Sequence, residues 1–475
     1  MLPTPARIGR PGVTIDILQD DVLLEIFDSY RKLEIRLEGM WMWEWQKLLH
    51  VCRRWRDIVL ASPRRLDLKV QCNRSTPTRE LLDIWPSLPI SIFCHSRGKD
   101  RGNHDLVAAL QQRSRISWIN LSCRTWEEMK QFATAMDKPF PVLTHLYASI
   151  SDTNLTAVTG ARLLPDSFLG GSAPRLESFD LQNAAFPALP NLVLSASHFS
   201  YLRLRHIPRA GYIPPETMVT FLLPLYNLKV LDIGFFSPES PTLQITPPPS
   251  THALLPSLTT FWFDGDSDYL ADFIARIDTP MLDNLQIMTY FSDPIPNVPQ
   301  FHKFIDRADR IKTFTQAEVH LNTDELDVIF KSPSNLGLSI SCETSDPPLV
   351  AMMRLLAKLL SIPSQVERLE LHEFAIEEEW QDGIENSHWL QLLNLFVSVK
   401  SLYVDVGLGP FIAPALEELT EERVTEVLPS LENLVIEDLG SDDSEFVEET
   451  IRSFISMRQL SGRPVVLRRW DREQE

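Results

Sequence analysis

The 475 residues are 44% hydrophobic and 23% charged, with 35 prolines against 17 glycines, which excludes a disordered or collagen-like polymer and favours many short, punctuated folded units. A net charge of −19 excludes a general nucleic-acid-binding surface, which needs clustered Lys and Arg to release counterions. The charge is unevenly placed: residues 365–450 hold 22 acids and three bases, whereas residues 47–79 hold nine bases and two acids. The five cysteines, Cys52, Cys72, Cys94, Cys123 and Cys342, form no CxxC pair and read as reduced, packing thiols. No run approaches the roughly eighteen apolar residues of a membrane helix, and the amino terminus lacks a signal-peptide core. The expectation is a cytoplasmic or nuclear protein with neither a membrane nor a nucleic-acid partner.

Residues 1–15 carry Pro and Gly and are expected to form a flexible leader. In LQDDVLLEIFDSY, Leu18, Val22, Leu23, Ile26, Phe27 and Tyr30 recur at helical spacing, while Asp20 and Asp21 suit the positive end of a helix dipole. In LLHVCRRWRDIV, Leu48, Leu49, Cys52, Trp55, Ile58 and Val59 make a second apolar stripe, with Arg53, Arg54 and Arg56 on the remaining face. Ser62-Pro63 stops that helix. Two short helices cannot bury both stripes against each other, which points to a partner protein. Between them, Trp41, Trp43 and Trp45 alternate. Either the insert adds to the partner contact, or Trp41 and Trp45 share a helical face packed on the first helix.

These residues resemble the F-box, the module by which substrate receptors dock on the Skp adaptor of cullin-RING ubiquitin ligases, and the chain as a whole resembles the F-box proteins of mushroom-forming fungi. The resemblance covers about a tenth of the chain and is carried by Leu18, Leu23, Ile26 and Phe27, then Val51, Cys52, Arg53, Arg54, Trp55 and Arg56. It departs from the family at Gln19, where a proline is usual, and in the longer link from Phe27 to Val51. The resemblance implies a Skp-type adaptor and a cullin scaffold as partners. It also implies an adaptor-binding set of Leu18, Val22, Leu23, Ile26, Phe27, Leu48, Val51, Cys52, Trp55 and Ile58.

From Arg64 onward the pattern changes to short alternating strands separated by amphipathic helices. The motif apolar-x-x-apolar-x-apolar recurs with its central apolar residue at Ile119, Leu146, Phe179, Leu202, Leu231, Phe261, Leu285, Leu369, Leu402 and Leu434. Two further rungs are expected near RIKTFT and LGLSIS, and helices at stretches such as TDELDVIF, TEERVTEVL and EFVEETIRSFISM. The Pro/Ser-rich stretches around Phe168 and from Ser237 to Leu258 read as loops. The fold class expected is α/β: a small all-helical F-box at 16–62, an irregular, curved leucine-rich-repeat solenoid of strand–helix repeats at 63–460, and a tail at 461–475.

The sequence offers no constellation for enzyme chemistry, metal or cofactor. The segment starting at Asp264 fails as a calcium loop, because Tyr269 and Ala275 stand where a glycine and a bidentate acid are required. The residues alternating with the apolar ones are instead expected on a concave face that binds a target protein. Trp118, Tyr201, Arg203, Arg205, Trp262 and Tyr403 are its candidate contacts, with Asp180, Asp232, Asp264 and Asp405 between them and the acidic late rungs selecting a basic target. The competing reading is an interaction scaffold whose leading helices merely cap the solenoid.

Overall fold

The computed structural model describes residues 17–34, 48, 50–61, 68–71, 82, 89–95, 102–151, 162–235, 251–289, 298–308, 310–311, 313–322, 325–332, 337–343, 348–359, 362–375, 385–437 and 442–470. The expected leader and Trp41, Trp43 and Trp45 lie outside the described residues. The chain forms two compact units. One comprises Met1–Tyr147 with Ser167–Pro174, the other Ala148–Asp166 with Arg175–Glu475.

The first unit opens with two helices, α1 (Asp20–Glu34) and α2 (Arg53–Ala61). Three parallel strands follow, β1 (Leu68–Gln71), β2 (Ile90–His95) and β3 (Ile116–Cys123), with α3 (Gly102–Leu110) between the last two. The helix α4 (Trp126–Ala135) starts where the Thr125 hydroxyl accepts the Glu128 amide at 3.3 Å and the Glu128 carboxylate accepts the Arg124 amide at 2.8 Å. These bonds satisfy donors that a helix start leaves open. The end of α4 is tied to Phe168–Gly171, read from sequence as loop but folded as a 3-10 turn, by the Leu169 amide on the Met136 carbonyl at 2.7 Å. Gly170 has φ +59, and a Cβ there would lie 2.3 Å from the Pro139 nitrogen, so only glycine fits. The strand β4 (His145–Ile150) crosses the boundary between the units.

The second unit repeats one theme. Its strands are β5 (Ser178–Gln182), β6 (Tyr201–Ile207), β7 (Val230–Phe235), β9 (Thr260–Gly265) and β11 (Asn284–Thr289), all parallel, with β8 (Ala253–Leu254) and β10 (Ile277–Asp278) pairing separately. Between the main strands lie α5 (Leu189–Leu194), α6 (Pro215–Leu222) and α7 (Ser267–Ile274). After α8 (Val298–Arg307) come β12 (Gln316–Asn322), β13 (Glu325–Lys331) and β14 (Gly337–Glu343), then α9 (Pro348–Lys358) and β15 (Arg368–Ala375). The remainder is α10 (Asn386–Asn394), β16 (Ser401–Val404), α11 (Gly409–Glu417), β17 (Asn433–Glu437), α12 (Asp442–Leu460) and β18 (Val466–Trp470).

The strands stand in apolar register. Phe179 is level with Leu202, Leu202 with Leu231, Leu231 with Phe261 and Phe261 with Leu285. The layer continues through Leu338 and Phe330 to Ala317, Leu369, Leu402, Leu434 and Leu467. All ten central apolar residues read from the sequence are at most 1% exposed. Because successive side chains point to opposite faces, this register places Asp180 beside Arg203, Arg203 beside Asp232 and Asp232 beside Trp262 on the other face.

The sequence reading needs correction between β11 and β15. The rung expected near RIKTFT is β12, which starts at Gln316 just after it, but the stretch from Glu325 in TDELDVIF is not a helix. Its residues enter β13, which runs antiparallel to both β12 and β14. The order there is β11-β14-β13-β12-β15, so LGLSIS, as β14, adds directly to β11. The alternation in ELDVIFK decides the matter, because Val328 and Phe330 are buried while Asp327 accepts from Ser339 and Ser341 on the other face. TEERVTEVL forms only a 3-10 turn, Glu421–Thr425. The segment read as a tail supplies β18, parallel to β17. Part of the stretch from Ser237 to Leu258, read as a loop, is the short strand β8.

Leu231→Ala, in the middle of the ladder, is expected to cost about 2–5 kcal/mol of unfolding free energy by chemical denaturation. Tyr201→Ala, on the half-exposed face, is expected to cost less than that range.

Candidate functional site

In the first unit, α1 and α2 are tied by Arg54. Its Nη2 donates to the Leu18 carbonyl at 2.5 Å and to Asp20 Oδ1 at 2.6 Å, and its Nε donates to the same oxygen at 3.2 Å. The pair is exposed enough to be worth about 1 kcal/mol or less. Apolar packing matters more: Phe27 and Trp55 meet with ring centroids 4.8 Å apart, and Leu23, Phe27, Trp55 and Ile58 are buried. Cys52 stands just before α2, where its Sγ accepts the Trp55 amide at 3.4 Å and so caps the helix.

The adaptor-binding set thus divides in two. Leu23, Phe27, Trp55 and Ile58 are the core of the helix pair, while Val22 (40%), Ile26 (42%) and Val51 (56%) are exposed. Leu18, Leu48 and Cys52 are half-buried. Val22 and Ile26 are four residues apart on α1 and so share one face of it. Sequence periodicity could not make this division, because a stripe about two residues wide serves core and contact alike.

The polar strand face of the second unit gathers Tyr201, Arg203, Arg205 and Trp262. Below them lies Asp232, fully buried. Its Oδ2 accepts Arg203 Nε at 2.7 Å and its Oδ1 accepts Arg205 Nε at 2.5 Å. The Arg203 guanidinium carbon lies 5.6 Å from the Tyr201 ring centroid and 5.2 Å from that of Trp262, and Arg205 lies 5.8 Å from Trp262. Arg203 Nη1 also reaches Asp180 Oδ2 at 3.5 Å. Burial pushes the Asp180 carboxyl up to about 6, an effect that the hydrogen bond from Gln182 and the charge of Arg203 offset only in part. The result is a cluster of two guanidinium groups and two aromatic rings, backed by buried carboxylates and half-open to solvent. The expectation that Asp180, Asp232, Asp264 and Asp405 are presented to a partner is corrected: all four are buried. Asp180 and Asp232 are short acids covered by the long arginines opposite them, which alternation alone does not reveal.

Tyr403 belongs to a second group, stacked under Arg368 at 4.0 Å. Arg368 Nε donates to Glu370 at 2.7 Å, and His372 lies between Glu370 at 3.5 Å and Asp405 at 3.7 Å. Across the ladder His320 stacks on His372, centroids 4.9 Å apart. Burial alone would lower the His372 pKa, but the two carboxylates outweigh it and raise it to about 9. His320 is lowered, first by burial and then by the charge on His372. The sequence reading missed both histidines. The signal was available at alternate positions, but the rung expected near RIKTFT has its strand a few residues later, at β12, which holds His320. Trp118, in the first unit, is 38% exposed and stacks on His145 at 4.2 Å and 7°.

Among the described residues, no helix is long and apolar enough to cross a membrane, and no group of three or more His, Cys, Asp or Glu is placed to hold a metal. No protein-family model matches the chain, and no curated protein matches it. Among solved structures it is similar to the leucine-rich repeat-containing protein LegL7 from Legionella pneumophila, with 12% identity, 84% of this chain and 99% of that chain covered, and a TM-score of 0.27. The description of the second unit as a strand–helix repeat rests on this chain's own ladder.

The sign of the His372 shift sets a pH window. Its folded pKa lies above the ordinary value of 6.5, so the stability it contributes is fully present below pH 6.5 and is lost as pH rises through about 9. Asp405→Asn is therefore expected to lower the melting temperature most below pH 6.5, with the difference from the unmodified protein shrinking above pH 9. The same variant is expected to bring the His372 pKa, read by NMR, down from about 9.

Proposed function

We propose that this chain is a substrate receptor of the cullin-RING type: α1 and α2 dock on a Skp-type adaptor, which links the chain to a cullin scaffold, and the polar strand face of the second unit holds a target protein. On this reading the chain positions the target, and other subunits carry out ubiquitin transfer. The observation that carries the proposal is the exposure of Val22, Ile26 and Val51 within the F-box-like pattern, beside a core of Leu23, Phe27, Trp55 and Ile58. An exposed apolar face on so small a helix pair is costly in water and is relieved by a partner. Tyr201, Arg203, Arg205 and Trp262 support the target-binding half, since aromatic and arginine side chains held on a rigid sheet dominate interface energetics. Tyr403 is a secondary contact in this scheme.

Burying one such apolar side chain contributes roughly 1.5–3 kcal/mol, and each 1.4 kcal/mol is tenfold in affinity. Val22→Asp/Ile26→Asp/Val51→Asp should therefore weaken binding to a purified Skp-type adaptor by at least tenfold in calorimetry while leaving the melting temperature unchanged. Phe27→Ala should instead lower the melting temperature. If the unaltered chain binds no such adaptor but Tyr201→Ala/Trp262→Ala still removes co-purifying proteins, the chain is an interaction scaffold capped by its leading helices.

A further inference from the structure

We propose that a cavity at the carboxyl ends of β5 and β6 receives one bulky, uncharged apolar side chain, of the size of phenylalanine or leucine, presented by a partner protein. The inference extends the target-binding reading of the second unit, since Leu181, Leu204 and Ile207 in the cavity wall lie on the same two strands as Asp180, Arg203 and Arg205.

The size and lining of the cavity select the occupant. Its volume is about 210 Å³. A cavity of about 150 Å³ already admits benzene, so one phenyl or isobutyl group fits here with room to spare. Sites for cofactors and drug-sized molecules begin at about 300 Å³ and carry several converging polar groups. This cavity is smaller than that, and the only side-chain polar groups in its lining are the Tyr212 and Thr217 hydroxyls. Phe186, Leu189, Leu204 and Ile207 are buried in its interior, and Pro187, Ala210, Pro214 and Thr217 are exposed at its mouth. No lining residue carries a charge at neutral pH, so a charged occupant would lose its hydration without compensation.

The wall is built before anything binds. Asn183, just after β5, and His206, at a register irregularity within β6, both adopt left-handed backbone, with φ of 62° and 51°. Neither is glycine, so each conformation costs free energy and persists only because its surroundings impose it. The Asn183 amide donates to the Arg205 carbonyl at 3.0 Å, and its side-chain nitrogen donates to the Ile150 carbonyl at 2.9 Å. Ala185 donates to the Arg162 carbonyl at 2.9 Å and accepts the Leu164 amide at 2.8 Å. A Cβ on Gly211 would come within 2.0 Å of the Ala185 Cβ, so the two loops approach as closely as a glycine permits. A rigid, open, apolar recess of one-side-chain volume matches the pockets that hot-spot residues fill at protein interfaces.

The test uses the full chain labelled at Ile and Leu methyl groups, with N-acetyl-L-phenylalaninamide as the probe. The methyl resonances of Leu181, Leu204 and Ile207 are expected to shift with a dissociation constant on the order of 1–10 mM. N-acetyl-L-glutamic acid α-amide should bind at least tenfold more weakly. Saturating toluene should displace the phenylalanine probe, a result that needs no variant. Thr217→Trp and Ala210→Leu, both at the exposed mouth, should each weaken the probe at least fivefold with unchanged circular dichroism and melting temperature. The proposal is overturned if the three methyl groups do not move, if the glutamic acid probe binds equally well, or if toluene shifts them while the capped phenylalanine does not. The last result would mean a closed void. Binding unaltered in both variants would also overturn it. Loss of adaptor binding in the α1–α2 variants leaves this titration untouched, so the two readings fail separately.

Discussion

The second unit depends on one constraint: each strand must place its central apolar residue level with that of its neighbour. A slip of a single residue would turn Leu202 and Leu231 toward solvent and bring Arg203 and Asp232 into the core. Burying a guanidinium or carboxylate among Leu and Phe without a partner costs several kcal/mol, so the register is held from both faces. The same constraint brings the polar cluster together. Asp180, Arg203, Asp232 and Trp262 lie far apart in sequence and become neighbours only because the apolar layer fixes the register.

The polar face is correspondingly rigid. Asp232 binds both Nε atoms and so fixes two long side chains that would otherwise sample many rotamers. Ordering an arginine on binding costs side-chain entropy, and here the fold has already borne that cost. The Arg203 guanidinium carbon lies 5.6 Å and 5.2 Å from the Tyr201 and Trp262 ring centroids, and a guanidinium is more weakly hydrated than an ammonium. Buried carboxylates balance their charge from behind, which favours contact with planar or apolar groups over long-range attraction.

Much of this was legible in the sequence. The ten central apolar residues and the alternating positions between them followed from period-two and period-3.6 patterning, because burial on one face leaves that trace in any strand or helix. Three things were not legible. TDELDVIF has helix-compatible acids and a short apolar run, and only its place between β12 and β14 makes it a strand. The short helix α5 and the proline-bearing α11 lack a long amphipathic period. The division of the leading helices into core and surface depends on how α1 meets α2, so Val22 and Leu23, adjacent in sequence, have opposite environments.

The reversed strand order between β11 and β15 bears on how the chain folds. In an array where each strand pairs with the next in sequence, structure can spread from any nucleus one repeat at a time. Here Asn284 pairs with Gly337, so growth past β11 must wait until a long loop closes. The β12–β13–β14 meander pairs consecutive strands and needs no such closure, so it can form by itself and offer β12 to β15 and β14 to β11. Closing the loop from Asn284 to Gly337 costs entropy before any pairing compensates for it, which sets this pairing apart from the shorter steps between successive repeats. The long-range steps therefore fall at the two seams of the meander, β11 with β14 and β12 with β15.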